Sequence, residues 1–447
     1  MCSKHIVLIT SGQPATNPRL VKEADFFTAI GHNVTVLHCY WNNWATHVDQ
    51  KLMRSRKWKL IRIAGTPTTS AFSYYASKIL HNIAKCGARL HLSPSLSIYA
   101  LSRATLPLTR AAMHIPADLY LAHNLAALPA AVKAAKRNQA IAGFDAEDYH
   151  RGETQASAET MEHRLKVMIE DLYIPQLDYF TTSSSNIADL YHNHYHRRPT
   201  VIRNLFPAFN LPQHRAVTTI QEATELRGAS NRGSSAEIIA GDDGAAHTSA
   251  LNRANVRPAV KLFWFSQTIG PNRGIELIIE ALKYIKPENY ELHLLGAPKQ
   301  GYIKHLLGLA AAHCIPLSNL HFHKPIAPEA LSKACANYDI GLASEPGFCL
   351  NNDAALSNKL FTYIQAGLVV LLSDTIAQKS FYQQHPTIGK CYTKDSATDL
   401  AQAIQHYIDH DQVLADTKRS NYSLGQRSLN WETESQTLFR KIKATLN

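Results

Sequence analysis

The sequence lacks the features of a disulfide-bonded secreted protein and of a membrane-spanning one. Its seven cysteines are odd in number, widely spaced and without a C-x-x-C pair, so we expect reduced, mostly buried thiols. The opening residues, MCSKHIVLITSG, contain no signal-peptide core and predict a first β-strand. No stretch reaches the ~18 consecutive apolar residues that cross a bilayer. We therefore expect a cytoplasmic protein, either soluble or peripheral on the inner face of the cell membrane.

Acidic residues are absent from position 51 to position 117. The eleven Lys and Arg residues there, all within 51–110, account for the net charge of +11 that arises from 46 basic and 35 acidic residues. Such a surface attracts an anionic membrane at ~1 kcal/mol per basic residue, and it equally attracts nucleic acid or a phosphorylated acceptor. Apolar side chains accompany the charges, which favours a membrane or a lipid-linked acceptor: Phe72, Tyr74, Tyr75 and Leu80. A solvated basic face without a partner is the alternative.

Aromatic residues are absent from 213–258, a stretch of 46 residues rich in Ala, Gly, Ser and Asn. Such a composition cannot bury enough apolar surface to order itself, so it predicts a flexible insertion or linker. We therefore divide the chain into an N-terminal domain (1–210), a linker (211–258), a C-terminal domain (259–425) and a last helix (426–447). Leu438, Ile442 and Leu446 have helical spacing, and we expect that helix to pack back across the domain junction.

The N-terminal domain opens as an alternating strand and helix unit. An apolar strand at 6–9 is followed by a polar turn, a helix at 19–30 and a second strand at 33–38. In doubly wound sheets the ligand binds beyond the carboxyl ends of the strands, and Ser11, Gly12 and Arg19 lie there. The three-glycine dinucleotide fingerprint is missing, so a dinucleotide cofactor is not expected.

Polar residues also follow three later strands of this domain. His123 ends the strand at 118–122, Asp145 and Glu147 follow the strand at 140–144, and three serines follow the strand at 178–182. A fourth polar group predicts a solvated helix end, with a metal site as the weaker alternative: His192, His194, His196, Arg197 and Arg198. The first three groups are therefore expected at one edge of one sheet.

The C-terminal domain repeats the alternation, and its stretch 345–374 combines a loop, a helix and a strand. Ser357 and Asn358 suit a helix N-terminus, where free amides and the helix dipole favour an anion. Lys359 adds a full positive charge beside them. On this stretch alone, a phosphate site and a capped helix packed in an α/β domain are equally good interpretations.

Taken together, these stretches resemble retaining glycosyltransferases of family 4, which have the GT-B architecture: two Rossmann-like, doubly wound parallel-sheet α/β domains that face a central cleft. The resemblance is carried by FWFSQTIGPNRG at 263–274, LHLLG at 292–296 and SNKLFTYIQAGLVVLLSD at 357–374, supported by DLYLAHN at 118–124 and LNWETE at 429–434. It implies transfer of a sugar from a nucleoside-diphosphate sugar to a glycan, lipid-linked or other acceptor, with retention of anomeric configuration. It also implies surface-polysaccharide or glycoconjugate synthesis, no metal or other cofactor, and no nucleic-acid partner.

The resemblance also assigns roles to residues. It implies catalytic roles for His123 and Glu345. The donor would contact Gly270, Arg273, Gly296, Asn358, Lys359, Leu360 and Thr362, and the acceptor or cleft side would include Ser11, Gly12, Arg19, Asp145 and Glu147.

The sequence departs from the family pattern at two places. Gln267 and Thr268 stand where the family has an Arg, which leaves Arg273 as the expected diphosphate contact of that loop. Counted back from Gly367, Thr362 stands where the family has its second glutamate, whereas spacing from Glu345 points to Asp353.

Two other functions fit this sequence. A non-hydrolysing sugar-nucleotide epimerase shares the architecture, although the motif order matches it less well. A binding protein with a degenerate transferase fold, associated with a membrane or a nucleic acid, would explain Thr362, Gln267 and the basic region.

Overall fold

The computed structural model of this chain describes residues 2–90, 93–154, 160–209 and 258–447. The predicted linker at 211–258 lies, apart from its last residue, outside the described residues. No helix in the described ranges is long and apolar enough to span a membrane. All seven cysteines are unpaired, as predicted, although three of them are exposed.

The N-terminal domain is built on a seven-stranded parallel sheet with the order β3-β2-β1-β4-β5-β6-β7. Its strands are β1 His5–Ile9, β2 Asn33–Cys39, β3 Lys59–Ile63, β4 Leu119–Ala122, β5 Ile141–Ala146, β6 Tyr179–Thr182 and β7 Thr200–Val201. The strand order reverses between β1 and β4, which is where doubly wound sheets open a ligand crevice.

The C-terminal domain has a six-stranded parallel sheet with the order β10-β9-β8-β11-β12-β13. Its strands are β8 Val260–Ile269, β9 Tyr290–Pro298, β10 Leu320–His323, β11 Ile340–Ala343, β12 Val369–Ser373 and β13 Gly389–Tyr392. Here the order reverses between β8 and β11, so the second crevice lies beyond the carboxyl ends of those two strands.

Helices cover both faces of each sheet, as parallel sheets require. Those of the N-terminal domain are α1 Pro18–Ala29, α2 Asn43–Leu52, α3 Ala71–Arg89, α4 Pro94–Ser97, α5 Thr105–Met113, α6 Leu128–Asn138, α7 Met161–Tyr173 and α8 Ser185–Tyr195. The later ones are α9 Ile275–Leu282, α10 Tyr302–Ala312, α11 Pro328–Cys335, α12 Leu350–Ala354, α13 Asn358–Ala366, α14 Ile376–Gln384, α15 Ala397–Asp409, α16 Asp411–Arg427 and α17 Trp431–Leu446. The predicted architecture of two doubly wound α/β domains is therefore confirmed.

The last helix, α17, lies against the N-terminal sheet. Leu438 and Ile442 are fully buried in one apolar cluster with Ile6 and Leu8 of β1. The Glu434 carboxylate receives the Arg203 guanidinium at 2.7 Å, and the Arg203 amide at 2.8 Å. The chain therefore ends on the domain in which it begins.

Some local predictions need correction. The elements of the basic region, which are β3, α3, α4 and the start of α5, were not predicted. The histidines 192, 194 and 196 are exposed at the C-terminal end of α8, which confirms a solvated helix end.

Candidate active site

The loop after β8 is shaped by two glycines. Gly296 of β9 has φ +158°, and a Cβ there would lie 2.5 Å from the Ser266 carbonyl oxygen, next to the irregularity between Phe265 and Thr268. Gly274 has φ +73°, and its Cβ would lie 2.4 Å from the carbonyl oxygen of Ser344. Only glycine fits at Gly274, because both its left-handed backbone and its contact with Ser344 exclude a side chain. The β8–α9 loop is thereby held against the loop after β11.

The loop after β11 carries Glu345, which forms a nearly buried ion pair with Lys359 of α13. The Lys359 Nζ lies 2.5 Å from Glu345 Oε1, and Asn352 Nδ2 donates to the other carboxylate oxygen at 3.3 Å. Burial disfavours ionisation of Glu345, yet the ammonium group of Lys359 outweighs it and keeps the carboxyl pKa below its usual value. The pair places a fixed anion and a fixed cation side by side at the end of the sheet.

Helix α13 begins beside this ion pair. Ser357 is its N-cap residue, but the Ser357 side chain makes no capping hydrogen bond, contrary to the usual behaviour of serine there. Instead Ser357 Oγ receives a hydrogen bond from Lys359 Nζ at 3.3 Å. The Leu360 amide donates to the Ser357 carbonyl oxygen at 3.1 Å, which leaves the amides of Asn358 and Lys359 and the positive end of the helix dipole to face an anion.

A cavity of about 250 Å³ opens beside Glu345, at the carboxyl ends of β8, β11 and β13. Loops from three parts of the chain line it: Pro271, Asn272, Gly274, Glu276, Leu277, Ser344, Glu345, Pro346, Tyr392, Lys394 and Asp395. Lys394 supplies a second cation on the far wall, where its Nζ lies 3.6 Å from Asp353. Lys394 and Tyr392 were not predicted from the sequence, because β13 reads GKCY and has no apolar run to mark it as a strand.

The other predicted donor residues have different positions. Arg273 is half-buried, and its guanidinium donates to Ser266 Oγ at 2.9 Å, beneath the same loop. Asn358 is exposed at the start of α13, whereas Leu360 is fully buried in the core. Thr362 is also fully buried, and its hydroxyl donates to the Asn358 carbonyl oxygen at 2.9 Å. The Thr362 side chain therefore lies inside the helix packing and does not line the cavity.

On the N-terminal side, Arg19 and Asp145 are buried together below the cleft. Both residues are 2% exposed, and the guanidinium binds the carboxylate through Nε–Oδ2 at 2.5 Å and Nη2–Oδ1 at 2.6 Å. Thr181 Oγ1 also donates to Asp145, at 2.6 Å. Although burial disfavours the charge of Asp145, the Arg19 guanidinium holds its pKa well below the usual range. The sequence placed both residues at the cleft surface, but their pairing in the interior supports the cleft from beneath.

His123 belongs to the same buried group. Its ring is enclosed, with Nε2 at 3.4 Å from Glu23 Oε2 and Nδ1 at 3.5 Å from Asp145 Oδ2. Burial and repulsion from Asp145 raise the pKa of Glu23 to about 7. Burial opposes protonation of His123, but the Glu23 carboxylate raises the imidazole pKa above its usual value. The His123 ring therefore lies between two buried carboxylates, those of Glu23 and Asp145.

The remaining cleft residues lie above or beside this group. Ser11 Oγ donates to Asn124 Oδ1 at 3.0 Å, and the amide group of Asn124 donates to Thr10 Oγ1 at 2.9 Å. Gly12 is half-buried, and its amide donates to the Thr10 hydroxyl at 3.3 Å. Glu147 is half-buried and accepts a hydrogen bond from Asn204. Burial raises the carboxyl pKa of Glu147.

The two sides are joined by α12, which follows the Glu345 loop. Asn351 Oδ1 accepts from the Tyr149 amide at 2.7 Å, and its Nδ2 donates to Asp148 Oδ1 at 2.9 Å. The Ser184 hydroxyl donates to the Ala354 carbonyl oxygen at 2.8 Å. The structure thus brings Glu345, Lys359 and the α13 N-terminus together, and separately brings together Arg19, Asp145 and His123.

Comparison with solved structures identifies the architecture. HepE from Anabaena, in its complex with UDP-glucose, matches with a TM-score of 0.65 at 14% identity, over 99% of this chain and 100% of that one. The fold is GT-B. Sucrose-phosphate synthase from Thermosynechococcus elongatus matches over 99% of both chains, with a TM-score of 0.62 at 13% identity. WaaG, a glycosyltransferase involved in lipopolysaccharide biosynthesis, matches over 98% of both chains, with a TM-score of 0.57 at 14% identity.

Comparisons of sequence add no closer relation. No family profile matches this chain, and no curated protein does. The relation to other GT-B chains is therefore carried by the three-dimensional structure.

Proposed function

We propose that this chain is a glycosyltransferase that moves a sugar from a nucleoside-diphosphate sugar to an acceptor. The observation that carries the proposal is the Glu345–Lys359 pair at the open N-terminus of α13, next to a cavity of about 250 Å³. A diphosphate needs positive charge and amide donors, whereas a sugar needs hydrogen-bond acceptors. Here Glu345 lines the cavity, and its carboxylate is paired with Lys359 at the start of α13. HepE, which shares the fold, was solved with UDP-glucose, so a uridine nucleotide is the first donor to test.

The proposed chemistry follows from where charge develops. Breaking a glycosyl phosphate bond builds negative charge on the leaving diphosphate and positive charge on the sugar. Lys359, Arg273 and the α13 amides would stabilise the first, and the Glu345 carboxylate the second. The transfer itself then needs no metal.

We further propose retention of anomeric configuration through front-face substitution. In this route the leaving phosphate accepts the acceptor proton, and no dedicated protein base is required. His123 would assist from the N-terminal side, where its buried ring lies between the carboxylates of Glu23 and Asp145. The anomeric configuration of the product, read by NMR coupling constants, tests retention directly.

A nucleotide screen tests the donor site. UDP at 100 times its dissociation constant should stabilise the fold by ~2.7 kcal/mol, compared with GDP, ADP, CMP and dTDP in the same thermal-shift assay. Arg273→Met should weaken the response, and Lys304→Met is the matched control because Lys304 is exposed on α10. If no nucleotide shifts the melting temperature, the donor site is wrong.

Helix α3 of the N-terminal domain carries the features of a membrane-binding surface. Helix α3 exposes an apolar stripe formed by Phe72 at 88%, Tyr75 at 52%, Ile79 at 60% and Ile83 at 62%. These positions follow the spacing i, i+3, i+7 and i+11, so they share one helix face. A basic row flanks the stripe: Lys78, Lys85 and Arg89. We therefore propose that α3 binds the cytoplasmic face of an anionic membrane and presents a lipid-linked or surface-glycan acceptor.

Vesicle co-sedimentation tests this proposal. The protein should bind phosphatidylglycerol vesicles more strongly than phosphatidylcholine vesicles. Salt at about 0.5 M should weaken the binding, because it screens the charges. Ile79→Asp with Ile83→Asp should reduce binding at least ~10-fold, since each buried isoleucine contributes ~1.5–3 kcal/mol. Val413→Asp on α16 is the control because Val413 is also an exposed apolar residue. Equal loss in both variants would contradict the proposal.

A further inference from the structure

Four polar side chains share one face of the two outer strands of the C-terminal sheet. Glu291 and His293 lie on β9, and His321 and His323 lie on the edge strand β10. His321 is the register partner of His293 in the parallel pairing. Since side chains two residues apart on a strand point to the same face, all four lie on one side of the sheet.

Their nitrogen and oxygen atoms have the spacing of metal ligands. His293 Nε2 lies 3.2 Å from Glu291 Oε2. This distance is close to the ~3.4 Å that separates two ligands of one tetrahedral zinc ion with bonds of ~2.1 Å. Ligand atoms of Glu291, His293 and His321 all fall within 4.8 Å of one another. The His321 ring is half-buried and stacked on that of His293, so it must turn out of the stack, with its nitrogen moving by up to ~1.4 Å, to bind the same ion.

The other ring nitrogen of His293 is already engaged. His293 Nδ1 lies 3.0 Å from His323 Nε2. A metal-bound histidine commonly donates its second N–H to a neighbouring acceptor, which fixes the tautomer and directs the free nitrogen at the ion. His323 supplies that acceptor, which leaves His293 Nε2 and Glu291 Oε2 on the same side of the ring.

We propose that Glu291, His293 and His321 bind a divalent transition-metal ion, with Zn²⁺ as the best match to two imidazoles and one carboxylate. A water molecule completes the tetrahedron, and His323 orients His293. The site connects the four-residue edge strand β10 to β9. It does not overlap the lining of the cavity beside Glu345, so its role is to stabilise the edge of the sheet.

This site departs from the sequence-based expectation that the chain carries no metal. The pattern was present in the sequence as Glu-x-His at 291–293 and His-x-His at 321–323. Both pairs have the spacing of two that places side chains on one face of a strand. The pairing of the two strands, which sequence spacing does not give, is what brings the pairs together.

A Co²⁺ titration of the chelator-treated full chain, made without a polyhistidine tag, tests the proposal. Tetrahedral Co²⁺ absorbs visible light, and Zn²⁺ added afterwards should displace it. We expect one Co²⁺ per chain, and at least ~10-fold weaker binding in His293→Gln and in His321→Gln. His192→Gln is the matched control, since His192 belongs to the exposed histidines of α8 and should leave the titration unchanged.

Circular dichroism of each variant checks folding, and the half-exposed His321 keeps the test available if His293→Gln does not fold. A thermal shift with Zn²⁺ alone gives a second readout, which should disappear in His321→Gln. The proposal is overturned if Co²⁺ gives no visible absorption. It is equally overturned if binding survives both cluster substitutions, or if His192→Gln weakens binding as much as they do. Neither readout involves a nucleotide, so failure here is independent of the transferase proposal.

Discussion

The Arg19–Asp145 pair gives the sharpest test of how the cleft is supported. Replacing Arg19 with Met keeps most of the side-chain volume but removes the cation from a region where Asp145 and Glu23 are both buried. An uncompensated buried charge costs about 3–5 kcal/mol, because the remaining carboxylate has lost its solvent and its partner. For a domain of this size each kcal/mol lowers the melting temperature by ~2–4 °C, so we expect a decrease of ~6–20 °C.

The assay is thermal unfolding followed by circular dichroism. A chain with two domains need not melt in one step, so the transition that Arg19→Met displaces is compared with the same transition in the wild type. Arg56→Met is the matched control, since Arg56 binds Asp25 at 3.2 Å on the surface. An exposed pair of this kind contributes ~1 kcal/mol or less.

A second substitution separates charge from packing. Adding Asp145→Asn to Arg19→Met removes the unpaired carboxylate, so part of the lost stability should return and the two effects should not add. The reasoning is refuted if Arg19→Met lowers the melting temperature no more than Arg56→Met. If Arg19→Met leaves the melting temperature unchanged and weakens acceptor binding, Arg19 lies at the cleft surface, as the sequence predicted.

Three further predictions concern single positions. Gly274→Ala should lower the free energy of unfolding by about 1–3 kcal/mol and weaken UDP binding, because φ is +73° and the new Cβ would lie 2.4 Å from the Ser344 carbonyl oxygen. An unchanged melting temperature and an unchanged thermal shift with UDP would contradict this. The pKa of Glu23 is raised to about 7, so the folded state keeps a proton that the unfolded state releases above about pH 4.5. The free energy of unfolding of the wild type should therefore fall as the pH rises from about 5 to about 8. The raised pKa of His123 acts in the same direction, and Glu23→Gln should flatten the melting temperature plotted against pH. Thr362→Glu should lower the melting temperature without strengthening UDP binding, because Thr362 is fully buried; tighter binding would show that this position faces the nucleotide.

The donor side was predictable because its signals are local. Gly367 ends α13 with φ +74°, as a glycine after a helix suggests, and the apolar run behind it is β12. Glu345 lies on the loop after β11, and Lys359 lies in the first turn of α13, 14 residues later. A short stretch of sequence therefore contains both α13 and the charged residues beside its N-terminus.

The N-terminal side was not predictable in the same way. Arg19 and Asp145 are 126 residues apart, and a charged residue at a strand end has the same appearance in sequence whether it is exposed or paired inside. One signal was available. Arg19 and Glu23 have the same i, i+4 spacing as Leu20 and Ala24, so the charges lie within the buried stripe of α1. Glu23, which sets the environment of His123, could have been found from that spacing.

The two halves of the site meet through the segment that begins at Glu345. This carboxylate is held by Lys359 within the C-terminal domain, whereas six residues later Asn351 is bonded to Asp148 and Tyr149 of the N-terminal domain. In the proposed transferase, a segment this short would pass a change in domain orientation on to the carboxylate, because its two attachments are only six residues apart. A diphosphate that draws Lys359 towards itself would loosen the first attachment and leave the second. In the proposed transferase, donor binding and the approach of the two domains therefore act on the same residue.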